Sequence, residues 1–281
     1  HTTQRPQLNR TMNPTAASSQ RPPSLPPLTR LLWVLSLLSC SSVNGVELIS
    51  TTDPSKCLWL SAPSGSYTLS HDCTYSGAYE AAAQDTILDA TKKAALTSAY
   101  SHYLPIMTVS APFTVIGIPS TSGKRPIISG DLRPLFEVKQ GAEVLLKNLH
   151  FTKFSFYAGG MTNINIPGGF IQFNGVSGTN FIKFTIEDSV VDTCSSRGNG
   201  GVFGVGGVYG TNGQFRIYPA KVQLVIRRCD FLNNAATNSG GVLSVKAAIT
   251  GSSLVVEDSF FGDNFSGKGG GLFNNQDVMR S

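Results

Sequence analysis

Histidine is scarce in this chain. His1, His71, His102 and His150 are all it has, no two of them at ligand spacing, so no zinc motif is present. Acidic residues are missing altogether from the first 45 positions, where Arg5, Arg10, Arg21 and Arg30 stand. That gap explains the formal charge of +5. Beyond it 18 bases face 17 acids, a near-neutral balance without the basic stripe of a nucleic-acid-binding protein. The apolar run Leu31-Leu-Trp-Val-Leu-Ser-Leu-Leu38 is far shorter than the roughly 20 residues that span a bilayer. No transmembrane helix is expected in the mature chain. Nucleotide loops are also lacking. Gly117-Ile-Pro-Ser-Thr-Ser-Gly123-Lys124 puts five residues between its glycines, and Arg125 stands where a magnesium-binding Ser or Thr belongs. A tight turn between strands explains these glycines.

The pattern that dominates the chain is a repeat. Val144-Leu-Leu-Lys-Asn-Leu-His-Phe151, Phe184-Thr-Ile-Glu-Asp-Ser-Val-Val191, Leu224-Val-Ile-Arg-Arg-Cys-Asp-Phe231 and Leu254-Val-Val-Glu-Asp-Ser-Phe-Phe261 align without a gap, at steps of 40, 40 and 30 residues. Each copy leads to a Gly-Gly before a second apolar run, at Gly168, Gly200, Gly240 and Gly270. In the last three copies five residues separate Cys194, Asn234 or Asn264 from that glycine. Alternating apolar residues, broken by a phase shift between Ile226 and Cys229, read as strands that bend. Units that differ only by loop insertions stack as coils. Each strand then runs parallel to its copy about 4.8 Å away, which makes a parallel β-helix.

Stacking places equivalent residues in columns. Phe151, Val191, Phe231 and Phe261 form an apolar one. Lys147, Glu187, Arg227 and Glu257 form a charged ladder whose sign alternates at every step, beside Asn148, Asp188, Arg228 and Asp258. Asn234 and Asn264 share a turn column, where side-chain amides are expected to hydrogen-bond along the helix axis. Asn264-Phe-Ser266 is also a glycosylation sequon, a candidate for modification if its amide is free. Earlier, Phe113-Thr-Val-Ile-Gly-Ile118, Pro126-Ile-Ile-Ser-Gly130 and Leu135-Phe-Glu-Val138 read as the first, irregular coils.

The second half of the chain resembles the right-handed β-helix proteins of the pectate-lyase-like superfamily. In motif it is most similar to the polymorphic outer membrane proteins. Phe231-Leu-Asn-Asn234 and Phe261-Gly-Asp-Asn264 match their Phe-x-x-Asn repeat. Gly240-Gly-Val-Leu243 and Gly270-Gly-Leu-Phe273 match the Gly-Gly-Ala-hydrophobic repeat with the alanine replaced. The resemblance implies a fold; its members range from adhesins to lyases, glycosidases and inert scaffolds.

The expected organisation is an all-β, right-handed solenoid with an α-helical cap. Residues 1–45 read as a disordered leader and signal peptide, since Met12 is followed by a basic stretch, the apolar run and small residues, with cleavage near Gly45. An uncleaved anchor or a transit peptide are the alternatives. Residues 46–104 read as a cap region. Within it Glu80, Asp85 and Asp89 precede Lys92 and Lys93, which suits one helix over 78–100 covering the open end of the coil. Residues 105–281 read as the β-helix, cut short in mid-coil. Cys40 leaves with the leader. Cys57 and Cys73 flank a short Gly/Ser/Tyr segment and are expected to close a local disulfide, whereas Cys194 and Cys229, in different columns, read as two buried thiols.

Catalytic β-helices that cleave acidic sugars need clustered carboxylates with a basic residue, or paired aspartates. Asp188, Asp192, Asp258 and Asp263 with Arg227 or Arg228 are the candidates here, yet both arginines lie between acids of flanking coils and ion-pair ladders satisfy the same pattern. The expectation is therefore a secreted or cell-surface, non-catalytic scaffold without cofactor or metal, contacting polysaccharide or cell-surface glycan in an adhesin-like role. A polysaccharide lyase or glycoside hydrolase is the alternative.

Overall fold

The computed structural model describes residues 45–49, 53–58, 60, 63–75, 105–130, 133–156, 168–175, 180–209 and 215–275. They form four parallel sheets. The first has seven strands, Val46–Glu47, Gly65–Leu69, Phe113–Gly117, Glu143–Lys147, Ile182–Glu187, Val222–Arg227 and Ser253–Glu257, each hydrogen-bonded to the next. The second runs through Cys73–Thr74, Ile127–Ser129, His150–Thr152, Val190–Asp192, Asp230–Leu232 and Phe260–Gly262. The third is short: Ser155–Phe156, Ser195–Ser196, Ala235–Ala236 and Phe265–Ser266. The fourth holds Met107–Val109, Phe136–Lys139, Ile171–Asn174, Phe203–Val205, Leu243–Val245 and Phe273–Asn275. One turn of the chain from Val222 visits the four sheets in that order before re-entering the first at Ser253, which is the arrangement of a β-solenoid.

Register follows the sequence columns. Glu187 pairs with Lys147 on one side and Arg227 on the other, and Arg227 with Glu257. Two details differ from the sequence reading. From Glu143 onward each coil has four strands rather than two apolar runs, because the corners are too tight to leave a hydrophobic signature. The stack also starts before residue 105: Gly65–Leu69, inside the segment between the paired cysteines, lies in register with Phe113–Gly117. The polar insertion near residue 210 contributes an antiparallel hairpin, Gly207–Tyr209 with Phe215–Ile217. Among the described residues there is no helix, and the helix expected over 78–100 lies outside them.

Alternation sends one face of each strand inward. In Val222–Arg227 the residues Val222, Leu224 and Ile226 are buried while their neighbours are half-exposed. Inside, phenylalanines form a continuous spine, with ring centroids 5.4 Å apart for Phe173 and Phe184, 5.9 Å for Phe184 and Phe203, 5.8 Å for Phe203 and Phe231, and 5.1 Å for Phe231 and Phe261. Each buried ring contributes about 2–3 kcal/mol of transfer free energy, and edge or offset contacts add to it.

The coil turns by left-handed backbone at fixed columns. Between the first and second sheets stand Asn148, Asp188, Arg228 and Asp258, with φ of 55°, 50°, 50° and 47°. Between the second and third stand Lys153, Thr193, Asn233 and Asp263, with φ of 62°, 53°, 55° and 53°. Asn and Asp accept this conformation most readily. Hydrogen bonding continues through both corners, with Asp188 N–H donating to Arg227 O at 3.0 Å and Thr193 N–H to Leu232 O at 3.1 Å. Gly-Gly marks the entry to the fourth sheet. Gly200 has φ of 70°; a Cβ on Gly201 would lie 2.1 Å from Gly241 O of the next coil, so the stacking itself forbids a side chain. Gly201→Ala is therefore expected to lower stability by about 2–3 kcal/mol, the usual cost of overpacking, as a shift of the urea unfolding midpoint. An unchanged midpoint would show that the coils are not in this contact.

Candidate functional site

Three polar constellations line the stack: the charged ladder outside the first sheet, a histidine–aspartate pair outside the second, and side-chain ladders inside the corners.

The charged ladder is continuous. Lys147 Nζ lies 3.5 Å from Glu187 Oε2 and 3.7 Å from Asp188 Oδ2. Arg227 reaches back to Glu187 Oε1 at 3.4 Å and forward to Glu257 Oε2 at 2.7 Å. Arg228 grips Asp188 with two bonds, Nε to Oδ1 at 2.6 Å and Nη2 to Oδ2 at 3.0 Å. Those bonds hold the Asp188 carboxyl below its usual range, against a smaller opposing effect of burial, and raise the Arg228 guanidinium. Surface pairs of this kind contribute little to stability. They do consume charge: Lys147, Arg227 and Arg228 each lie against an acid of a neighbouring coil. The acids considered as a cluster are not brought together. Asp188 and Asp258 occupy one corner column on either side of Arg228, Asp263 sits at the other corner, and Asp192 is on the strand between.

Asp192 has a different partner. Its Oδ2 lies 2.7 Å from His150 Nε2 in the preceding coil, while Oδ1 is buried without a hydrogen bond. Burial pushes this carboxyl up, but the Thr152 hydroxyl, His150 and Thr193 together outweigh it and hold the pKa below 3.8. His150 went unassigned from sequence. The signal was its separation of 42 residues from Asp192, one coil of 40 plus two, which puts both on the same outward face. On the same side Asp72 accepts from Ile127 N–H at 2.9 Å and from Lys124 Nζ at 3.0 Å.

At the corners each buried N–H following a left-handed residue is met by a side chain from the next coil. Leu149 N–H donates to Ser189 Oγ at 3.2 Å and Cys229 N–H to Ser259 Oγ at 3.1 Å; between them Ser189 N–H bears on the Cys229 sulfur. The second corner reads Phe154 N–H to the Cys194 sulfur, Cys194 N–H to Asn234 Oδ1 at 2.9 Å and Asn234 N–H to Asn264 Oδ1 at 3.0 Å. Asn234 Nδ2 donates to Val191 O and Asn264 Nδ2 to Phe231 O. The Asn264 sequon thus has its amide committed to the ladder. Both cysteines are free and buried. Burial raises both thiols, that of Cys229 to about 11, so they stay protonated, Cys194 donating to Asp192 O at 3.4 Å and Cys229 to Arg227 O at 3.1 Å, and are not nucleophiles.

Cys57 and Cys73 are joined in a disulfide, their Cα atoms 5.0 Å apart. Among the described residues no three His, Cys, Asp or Glu side chains converge to hold a metal, and no helix is long and apolar enough to cross a membrane.

Two expectations separate these constellations. Asn234→Ala takes the acceptor from the buried Cys194 N–H and should cost about 1–3 kcal/mol in urea unfolding, whereas Arg228→Ala should leave the midpoint nearly unmoved; equal effects would contradict the division. An aspartate held below its unfolded value of 3.8 contributes stability that is complete above that pH and lost as pH falls through the lower folded value. Between about pH 5 and pH 2 the loss of melting temperature should therefore be shallower in Asp192→Asn than in the parent, and parallel curves would remove Asp192 from the account. Comparison of the chain with protein-family models, characterised proteins and solved structures finds no match, so the chemistry of these columns is what a functional reading has to rest on.

Proposed function

We propose that this is an exported, non-catalytic right-handed β-helix of the pectate-lyase-like kind, presenting its ribbed outer face to polysaccharide or cell-surface glycan. The observation that carries the reading is the continuous pairing along Lys147, Glu187, Arg227 and Glu257. The residues best suited to lyase chemistry are spent on one another, and the face they form is a regular lattice of paired charge at coil spacing. Right-handed winding is what about 98% of parallel crossover connections adopt. The leader of residues 1–45 and the Cys57–Cys73 disulfide favour export to an oxidising compartment.

A second reading is favoured by His150 and Asp192. A half-buried carboxylate with one oxygen 2.7 Å from an imidazole nitrogen is an arrangement that general acid–base hydrolysis uses. The two are separated by one set of assays on the purified chain, an array of neutral and acidic oligosaccharides read for retention and a set of polysaccharides with calcium read for unsaturated product or reducing ends. Retention without turnover is the expected result. Turnover abolished by His150→Ala would replace the scaffold reading with the enzymatic one.

A further inference from the structure

Lys139, Glu137 and Asn174 meet on the outward face of the fourth sheet. Glu137 and Lys139 are two residues apart on Phe136–Lys139 and share a face, with Phe136 and Val138 buried on the other. Lys139 stands directly opposite Asn174 of the next coil. Asn174 is only 6% exposed. Its Nδ2 donates to Glu137 Oε1 at 2.5 Å, and its carbonyl Oδ1 is buried without a hydrogen bond. Lys139 Nζ lies 3.8 Å from Glu137 Oε2, which also accepts from the Thr108 hydroxyl at 3.1 Å. One shielded carboxylate therefore bridges a primary amine and a carboxamide on adjacent strands. An ordinary ion pair explains the lysine and the glutamate, but not why a buried amide is held to the same carboxylate with its carbonyl left bare.

We propose that Lys139 and Asn174 become joined by an intramolecular isopeptide bond, with Glu137 as the proton carrier. The Glu137 carboxylate takes a proton from the Lys139 ammonium, and the freed amine attacks Asn174 Cγ, pushing the carbonyl electrons onto Oδ1. Glu137 delivers its proton to Nδ2, the tetrahedral adduct collapses, and the Cγ–Nδ2 bond breaks. The second proton shed by the lysine nitrogen leaves with the ammonia as ammonium. One Nζ–Cγ bond forms, one Cγ–Nδ2 bond is lost, and no oxidant or added reagent enters. The lysine stem is longer than the roughly 4.8 Å between neighbouring strands. Its side chain is 41% exposed, so the stem is not held in the core. The bond would tie consecutive coils together covalently in a stack where each coil contacts only its neighbours.

The test is intact-mass and tandem mass spectrometry on the purified, folded chain, with Lys139→Arg and Glu137→Ala beside it and circular dichroism to check the fold of each. The expected result is a parent lighter by one ammonia, a branched tryptic peptide linking residues 139 and 174 that resists cleavage after Lys139, and full mass in both variants. Asn174 precedes Gly175, so ammonia can also be lost by attack of the Gly175 nitrogen to give a succinimide. That product carries no link to Lys139 and survives in Lys139→Arg. A folded parent of full mass, or a loss of ammonia that persists in Lys139→Arg, overturns the proposal. Should Glu137→Ala fail to fold, the branched peptide and the Lys139→Arg mass decide by themselves.

Discussion

Everything in this structure depends on the hydrogen bond between the backbone of one coil and the backbone of the next. In a parallel stack no strand finds its partner within its own repeat, so its N–H and C=O groups are answered from the next coil, 30 or 40 residues away in the aligned repeats, as when Asp188 donates to Arg227. A buried group left unanswered costs a large share of a domain's net stability. The requirement is hardest to meet at corners, where the backbone rotates out of the ladder. Here it is met by side chains from the adjacent coil: Ser189 and Ser259 at one corner, Asn234 and Asn264 at the other. Cysteine sulfur stands in the same columns at Cys229 and Cys194.

This constraint explains residues that look unrelated. Gly201 is glycine because Gly241 O sits where its Cβ would be. Asp188 is both a corner residue in left-handed conformation and the acid that Arg228 holds. The outward charges alternate because like charges 4.8 Å apart would oppose the stacking. Such charges set register and solubility more than stability. Stability comes from the phenylalanine spine and the filled corners.

The repeat made much of the fold legible in the sequence, because a solenoid writes its spatial neighbours at constant spacing. The alternating sign at Lys147, Glu187, Arg227 and Glu257 and the shared column of Asn234 and Asn264 were readable for that reason. The strand Gly65–Leu69 was not, since a lone first coil has no aligned copy and its Gly/Ser content suits a disulfide loop equally well. The third sheet escaped notice because two-residue strands such as Ala235–Ala236 are too short to show a period. His150 with Asp192, and Glu137 with Lys139 and Asn174, were hidden for a further reason. His150 and Asp192 lie in adjacent coils and are offset by two along the strand, and Lys139 and Asn174 are opposite each other across a 35-residue step that the aligned repeat does not show, so the coil length must be known before these residues can be seen to meet.

The central claim is that equivalent strands of successive coils lie one above another in register. It is tested most directly by a distance between spin labels placed at Thr114 and Val255, outward positions joined through Leu145, Thr185 and Val225 by four parallel pairings. Four steps of strand spacing give about 20 Å. Pulsed dipolar spectroscopy should return a single narrow distribution near that value, allowing for the label arms. A mean well beyond it, or a broad distribution, would contradict the stacked register.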